Sequence, residues 1–179
     1  MTEPELPAGD FASWLVTIRG AIRGEGGSDV PCGGCTACCR SSQFIHIGPD
    51  ETDALAHIPT ALLFAAPGRP RGHVVLGYDS RGHCPMLVDD KCSIYDHRPQ
   101  TCRAYDCRVF AATAIENDDK PLIARQARRW RFSYATEADR AEHDRLKVPA
   151  AQPGERPTSP TERAVRAVEG PADVADSPP

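Results

Sequence analysis

All eight cysteines of this chain fall between positions 32 and 107, and four of them crowd into "PCGGCTACCRSSQF" as Cys32, Cys35, Cys38 and Cys39. No other feature narrows the possible folds so far. The neighbours Cys38 and Cys39 cannot easily form a strain-free disulfide with each other. Their side chains also project in different directions, which makes them awkward as two ligands of one ordinary tetrahedral centre. A run this dense is a metal site, a disulfide knot or a reactive thiol cluster.

The redox compartment decides among the three. The start "MTEPELPAGDFASWLVTIRG" has no basic segment leading into an unbroken apolar run, and no stretch approaches the roughly 18 apolar residues of a membrane span. A cytoplasmic chain with reduced thiols is the expectation, so clustered cysteines read as metal ligands rather than as four disulfides. A nucleophilic cysteine needs one low-pKa thiolate and a positioned base, a pattern that seven further cysteines dilute. The balance of 21 basic and 25 acidic residues gives no electrostatic reason for a nucleic acid or an anionic membrane as partner. The one basic patch, "RQARRWRF", reads as part of an amphipathic helix with Trp130, Phe132 and Tyr134 partly packed and its arginines in water.

The expected fold class is α+β: a small, irregular, cysteine-rich metal-binding domain with short strands, flanking helices and a disordered C-terminal tail. Residues 1–30 form a helix and a glycine-rich lead-in, 31–147 the cysteine domain with a C-terminal helix, and 148–179 the tail. Phe11, Trp14, Ile18 and Ile22 recur at helical spacing behind Asp10, a plausible N-cap. "SQFIHI" and "HVVLGYD" read as strands, and "GPDETDALAHIP" as a helix with Pro49, Asp50 and Glu51 at its start. "CPMLVDDKCSIY" reads as a hairpin turning at 89–91 and bringing Cys84 towards Cys92. "HRPQTCRAYDCRVFAATAI" reads as a helix with Pro99 at its first position, although Cys102 and Cys107, five apart, cannot share one straight helical face. Residues 122–146 read as a second long helix, and the Pro, Ala, Ser and charge content beyond Val148 builds no core.

Cys32, Cys35 and Cys38 stand at successive x2 spacing, as in iron–sulfur ferredoxins, where a remote cysteine followed by proline completes the set. Cys84-Pro85 supplies that element here. One assignment therefore places Cys32, Cys35, Cys38 and Cys84 on one centre and Cys39, Cys92, Cys102 and Cys107 on a second. Zinc is the rival, since two four-thiolate zinc sites use the same residues as structural staples. Zinc knuckles come as x2 pairs, and the second half of this set has none, so iron or an iron–sulfur centre is favoured. Arg98 and Arg103 flank Cys102 and read as charges that tune such a centre, while Arg40 and Arg108 are equally well read as solvated. His83 and His97 are the two histidines placed to add a ligand.

"CGGCTACC" followed by "CPMLVDDKCSIYDHRPQTCRAYDC" resembles the YkgJ-type cysteine-cluster family, a zinc- or iron-chelating domain with a CxxCxxCC motif. The resemblance implies ligand status for Cys32, Cys35, Cys38, Cys39, Cys84, Cys92, Cys102 and Cys107. It also implies kinship with proteins labelled iron–sulfur oxidoreductases and with flagellin lysine N-methylases that carry a similar cluster. In "CRAYDC", Tyr105 and Asp106 stand where that family has an aromatic residue and a proline. No Gly-x-Gly-x-x-Gly loop or P-loop is present, and a domain this rich in cysteine leaves little room for self-contained methyl transfer. The expectation is iron or iron–sulfur chemistry serving electron transfer or a redox or client protein partner. A zinc-stapled interaction module and metal delivery or sensing are the alternatives.

Overall fold

The computed structural model describes residues 3–28, 30–147 and 159–170. The fold is α+β and is organised around two hydrophobic cores. The first is helical. Its leading helix α1 (Phe11–Ile22) starts where expected, because the Asp10 carboxylate accepts from the Ser13 N–H at 2.9 Å. Phe11, Trp14, Leu15, Ile18 and Ala21 form its buried stripe. They pack with Val109, Phe110, Ile123, Leu146 and Val168, contributed by later segments of the chain.

The second core is smaller. Strands β2 (Ile45–Ile47), β3 (Leu63–Ala65) and β4 (Val74–Leu76) form an antiparallel sheet in the order β2-β4-β3, beside the short helix α2 (Thr52–His57). A two-residue hairpin, β5 (Leu87–Val88) and β6 (Lys91–Cys92), closes over it. Asp89 and Asp90 both take positive φ, 48° and 59°, which is the backbone a tight hairpin twisted with its strands requires. Ile47, Ile58, Leu76, Met86 and Ile94 fill this core.

Several local readings give way to tertiary structure. The expected helix around Cys102 and Cys107 is two helices, α3 (Gln100–Ala104) and α4 (Arg108–Thr113), and Pro99 caps α3 rather than opening it. The chain breaks at 105–107 because the Asp106 carboxylate turns back to accept the Arg108 N–H at 2.9 Å. In the α2 segment Pro49 and Asp50 lie outside the helix, and Glu51 is its cap. The long helix over 122–146 is instead α5 (Pro121–Ala127), strand β7 (Trp130–Ser133) and α6 (Glu137–Leu146). Period-two alternation wins there. Trp130, Phe132 and Tyr134 turn inward between exposed Arg131 and Ser133, and Thr136 starts α6 with a capping box to Asp139. Strand β7 pairs in parallel with β1 (Leu6–Asp10). Arginines of the basic patch pair with carboxylates: Arg125 with Glu3, Arg128 with Glu116 and Arg131 with Glu5.

The expectation of a tail without a core is corrected in one segment. Residues 148–158 and 171–179 of that expected tail lie outside the described residues, but Pro160–Glu169 form a helix, α7. Ser159 and Glu162 make its capping box, and Ala164 and Val168 are fully buried in the first core. Arg19 also donates to the Val168 carbonyl at 2.8 Å. Val168→Ala is expected to cost about 1–2 kcal/mol. Denaturant unfolding checks this, and an unchanged midpoint means that α7 is not docked. Among the described residues no helix is long and apolar enough to cross a membrane.

Candidate metal centre

Three segments deliver the eight cysteines, all of them free and half-buried. The first is the turn after Pro31. The Cys35 N–H bonds back to the Cys32 carbonyl at 2.9 Å, with Gly33 at a φ of 56° that favours glycine. A 3-10 turn over Cys38–Arg40 follows. The second is the hairpin with Cys84 and Cys92, and the third is the α3–α4 junction with Cys102 and Cys107.

Backbone and side-chain braces fix how these segments meet. The Cys84 N–H donates to the Cys39 carbonyl at 2.7 Å. Arg40 accepts a similar task from its side chain: Nε donates to Thr36 Oγ1 at 3.0 Å while Nη2 pairs with Asp90 at the hairpin tip. Lys120 Nζ donates to the carbonyls of Ser41 and Ser42 at 2.7 and 3.1 Å. The double-cysteine turn is therefore clamped to the hairpin on one side and to the start of α5 on the other.

The charges felt at each sulfur sort the cysteines. Burial pushes the Cys107 thiol up to about 12 against the Trp130 indole N–H, which donates to its sulfur at 3.2 Å; the Asp106 charge adds to the rise, followed by charge at Cys32 and Cys35. Burial likewise pushes Cys32 up to about 12, with Cys35 and Cys38 adding. Cys102 rises to about 12 through burial and then through Cys38, Cys84 and Cys92. Cys39 is raised by its hydrogen bond to Cys38, by burial, and by Cys84 and Cys92 as well. Charge at Cys32 and Cys35 thus acts on Cys107, charge at Cys84 and Cys92 acts on Cys39 and Cys102, and charge at Cys38 acts on Cys32, Cys39, Cys84 and Cys102.

The division expected from spacing put Cys84 with Cys32, Cys35 and Cys38; here the Cys84 N–H is bonded to the Cys39 carbonyl, and the break after α3 separates Cys107 from Cys102. Cys38 and Cys39 hold their sulfurs 3.9 Å apart. Either thiol can donate in this contact, which lowers the Cys38 thiol and raises that of Cys39.

The arginines also divide. Arg98 lies over the Tyr95 ring at 3.6 Å, donates to the Tyr95 carbonyl, and its charge lowers the thiols of Cys38 and Cys102. Arg103 is exposed, and its charge acts on Asp53. Arg108 is buried against Asp106 at 2.7 Å rather than solvated. Asp106 is the residue that sequence reasoning passed over as a mere departure from the family pattern. It also accepts from the Trp14 indole N–H at 2.9 Å and from the Ser28 hydroxyl. It thereby ties α1 and the glycine-rich lead-in to the junction that carries Cys107. Neither histidine singled out from sequence has its recorded bonds with sulfur: His83 is held through its backbone N–H by Asp79, and His97 pairs with Asp53 at 2.9 Å.

These residues fit a bound metal. A half-buried thiol without a cation keeps its proton, as the raised Cys32, Cys102 and Cys107 show, and a metal ion reverses that preference outright. Eight such thiols lie on three segments braced around the double-cysteine turn. The family model described as CxxCxxCC, "Putative zinc- or iron-chelating domain", matches residues 31–121, and the chain belongs to that family. No curated protein and no solved structure matches the chain.

Proposed function

We propose that the cysteines hold iron, as one or two iron–sulfur centres, and that the domain passes electrons to or from a protein partner. The spread of the sulfurs carries this reading. Thiolates on a single tetrahedral zinc lie about 3.8 Å apart, given zinc–sulfur bonds of about 2.3 Å. Cys38 and Cys39 match that spacing, but among the described residues no three cysteine sulfurs lie mutually within 4.8 Å. A polynuclear centre interposes its own irons and sulfides between thiolates and accepts a wider ring.

When bound, such a centre supplies one-electron transfer. The chain supplies the surroundings. Cys32, Cys35 and Cys107 would hold one part of the centre and Cys39, Cys84, Cys92 and Cys102 another, with Cys38 available to either. The Trp130 N–H at 3.2 Å from Cys107 and the Arg98 charge near Cys38 and Cys102 both favour the more negative, reduced state. Cys38 and Cys107 pack against the helical core, as do Ala37, Ala104 and Tyr105, so that side of the centre would face apolar surroundings.

Two spectroscopic results test this. Protein purified without oxygen is expected to absorb visible light, to bleach on reduction and to recover on reoxidation; a colourless protein points to the zinc staple instead. Trp130→Phe removes one N–H···S bond and is expected to lower the midpoint potential by on the order of 40 mV, the equivalent of about 1 kcal/mol for one electron. An unchanged potential in a folded variant removes Trp130 from the tuning.

A further inference from the structure

Among the described residues, one set of three ligand-type side chains brings its ligating atoms within 4.8 Å of one another: Asp53, His57 and His97. None of the three belongs to the cysteine sets. Asp53 and His57 lie one helical turn apart on α2, and His97 arrives from the 3-10 turn after the hairpin, so two segments far apart in sequence build the cluster.

The geometry points to a second metal site here, for a divalent cation of the zinc, nickel and cobalt class, open to water and separate from the cysteines. His97 Nδ1 lies 2.9 Å from Asp53 Oδ2, and His57 Nδ1 lies 3.7 Å from Asp53 Oδ1. Nitrogen and oxygen ligands about 2.1 Å from a shared ion sit about 2.9–3.5 Å apart at tetrahedral or octahedral angles. The first pair meets that spacing and the second exceeds it by a few tenths of an ångström. Both nitrogens now hydrogen-bond to Asp53, Nδ1 of His97 to its carboxylate and Nδ1 of His57 to its backbone carbonyl at 2.8 Å, and a cation takes the place of those protons. The two imidazoles are stacked, centroids 3.5 Å apart and 7° from parallel, so binding requires them to splay. His57 and His97 are each 40% exposed, which leaves room for that rotation.

Two imidazoles and one carboxylate suit borderline divalent ions, in contrast to the thiolate set. The carboxylate is ready for this role: the His97 hydrogen bond, with the charges of His97, His57 and Arg103, holds the Asp53 carboxyl below the usual carboxylate range. The partial exposure of all three side chains leaves the remaining coordination positions to water. The Arg103 charge opposes a cation and keeps the site weaker than the cysteine centre. The positions left to water make it a site of rapid exchange.

The test adds Zn2+ to the full chain with its cysteine-bound metal in place. Calorimetry is expected to show one further equivalent bound near neutral pH. The ring resonances of His57 and His97 are expected to move while those of His46, His73, His83 and His143 stay. His57→Gln and Asp53→Asn, both at exposed positions, are expected to weaken that equivalent at least tenfold and to leave the cysteine-bound metal content and the melting temperature unchanged. No further equivalent, shifts spread over all the histidines, or unaltered affinity in both variants overturns the site.

Discussion

Asp106→Ala is expected to destabilise the protein by about 3–5 kcal/mol, the usual cost of removing one partner from a buried ion pair. The Asp106 side chain is 0% exposed and that of Arg108 7%. Truncation removes the carboxylate that pairs with the buried guanidinium and leaves the Trp14 indole N–H without its acceptor. Arg108 still donates to the Ala8 carbonyl at 2.9 Å and to the Ser28 hydroxyl at 3.3 Å, neither of which carries a countercharge. Asp106→Asn preserves the shape and some hydrogen bonds and is expected to lose less. Against a total stability of about 5–15 kcal/mol, the alanine variant is marginal at physiological temperature. Urea unfolding measures both changes. A loss below about 1 kcal/mol for Asp106→Ala contradicts the role given to this pair.

Metal removal is expected to act unevenly. The helical core holds Phe11, Trp14, Ile18, Phe110 and Ile123, with Cys38 and Cys107 packed only at its edge, and is large enough to stay packed by apolar burial. The sheet and hairpin rest on Ile47, Ile58, Leu76, Met86 and Ile94, with Cys84 and Cys92 packed against them. A core of that size is marginal alone, and metal bound to its cysteines becomes folding free energy for the sheet. On chelation, amide exchange in β2, β4 and the hairpin is expected to accelerate by on the order of 100-fold or more while α1 and α4 keep their protection. Equal acceleration in both cores contradicts this division. Acid acts in the same direction. Thiols raised to about 12 at Cys32, Cys102 and Cys107 must surrender protons to bind, so affinity falls as pH falls and metal leaves before the helical core unfolds.

Sequence signals were reliable where the physics is local. The Asp10 cap, the tight turn around Gly33 and the hairpin that carries Cys92 are each written in a few neighbouring residues. Long-range pairing was not legible in the same way. β1, "LPAGD", has little strand propensity, and it becomes a strand by pairing with β7, more than a hundred residues away. Residues 122–146 contain good helix formers, yet the alternation of Trp130, Phe132 and Tyr134 prevails once β1 offers an edge. In α7 the composition concealed a capping box at Ser159 and Glu162 and an apolar pair at Ala164 and Val168. The CxxCxxCC run marked the cysteines, but two contacts that brace their segments together are encoded by no spacing: the Cys84 bond to the Cys39 carbonyl and the Arg40 pairing with Asp90. Asp106 was visible only as a residue out of place, since a buried carboxylate shows its purpose through the partners that surround it.

The measurement that bears most directly on the cysteine centre is the content of iron, zinc and acid-labile sulfide per chain in protein purified without oxygen. Iron accompanied by matching sulfide is the predicted result. Zinc near two per chain without sulfide contradicts the electron-transfer reading and leaves a structural module built on the same eight thiolates.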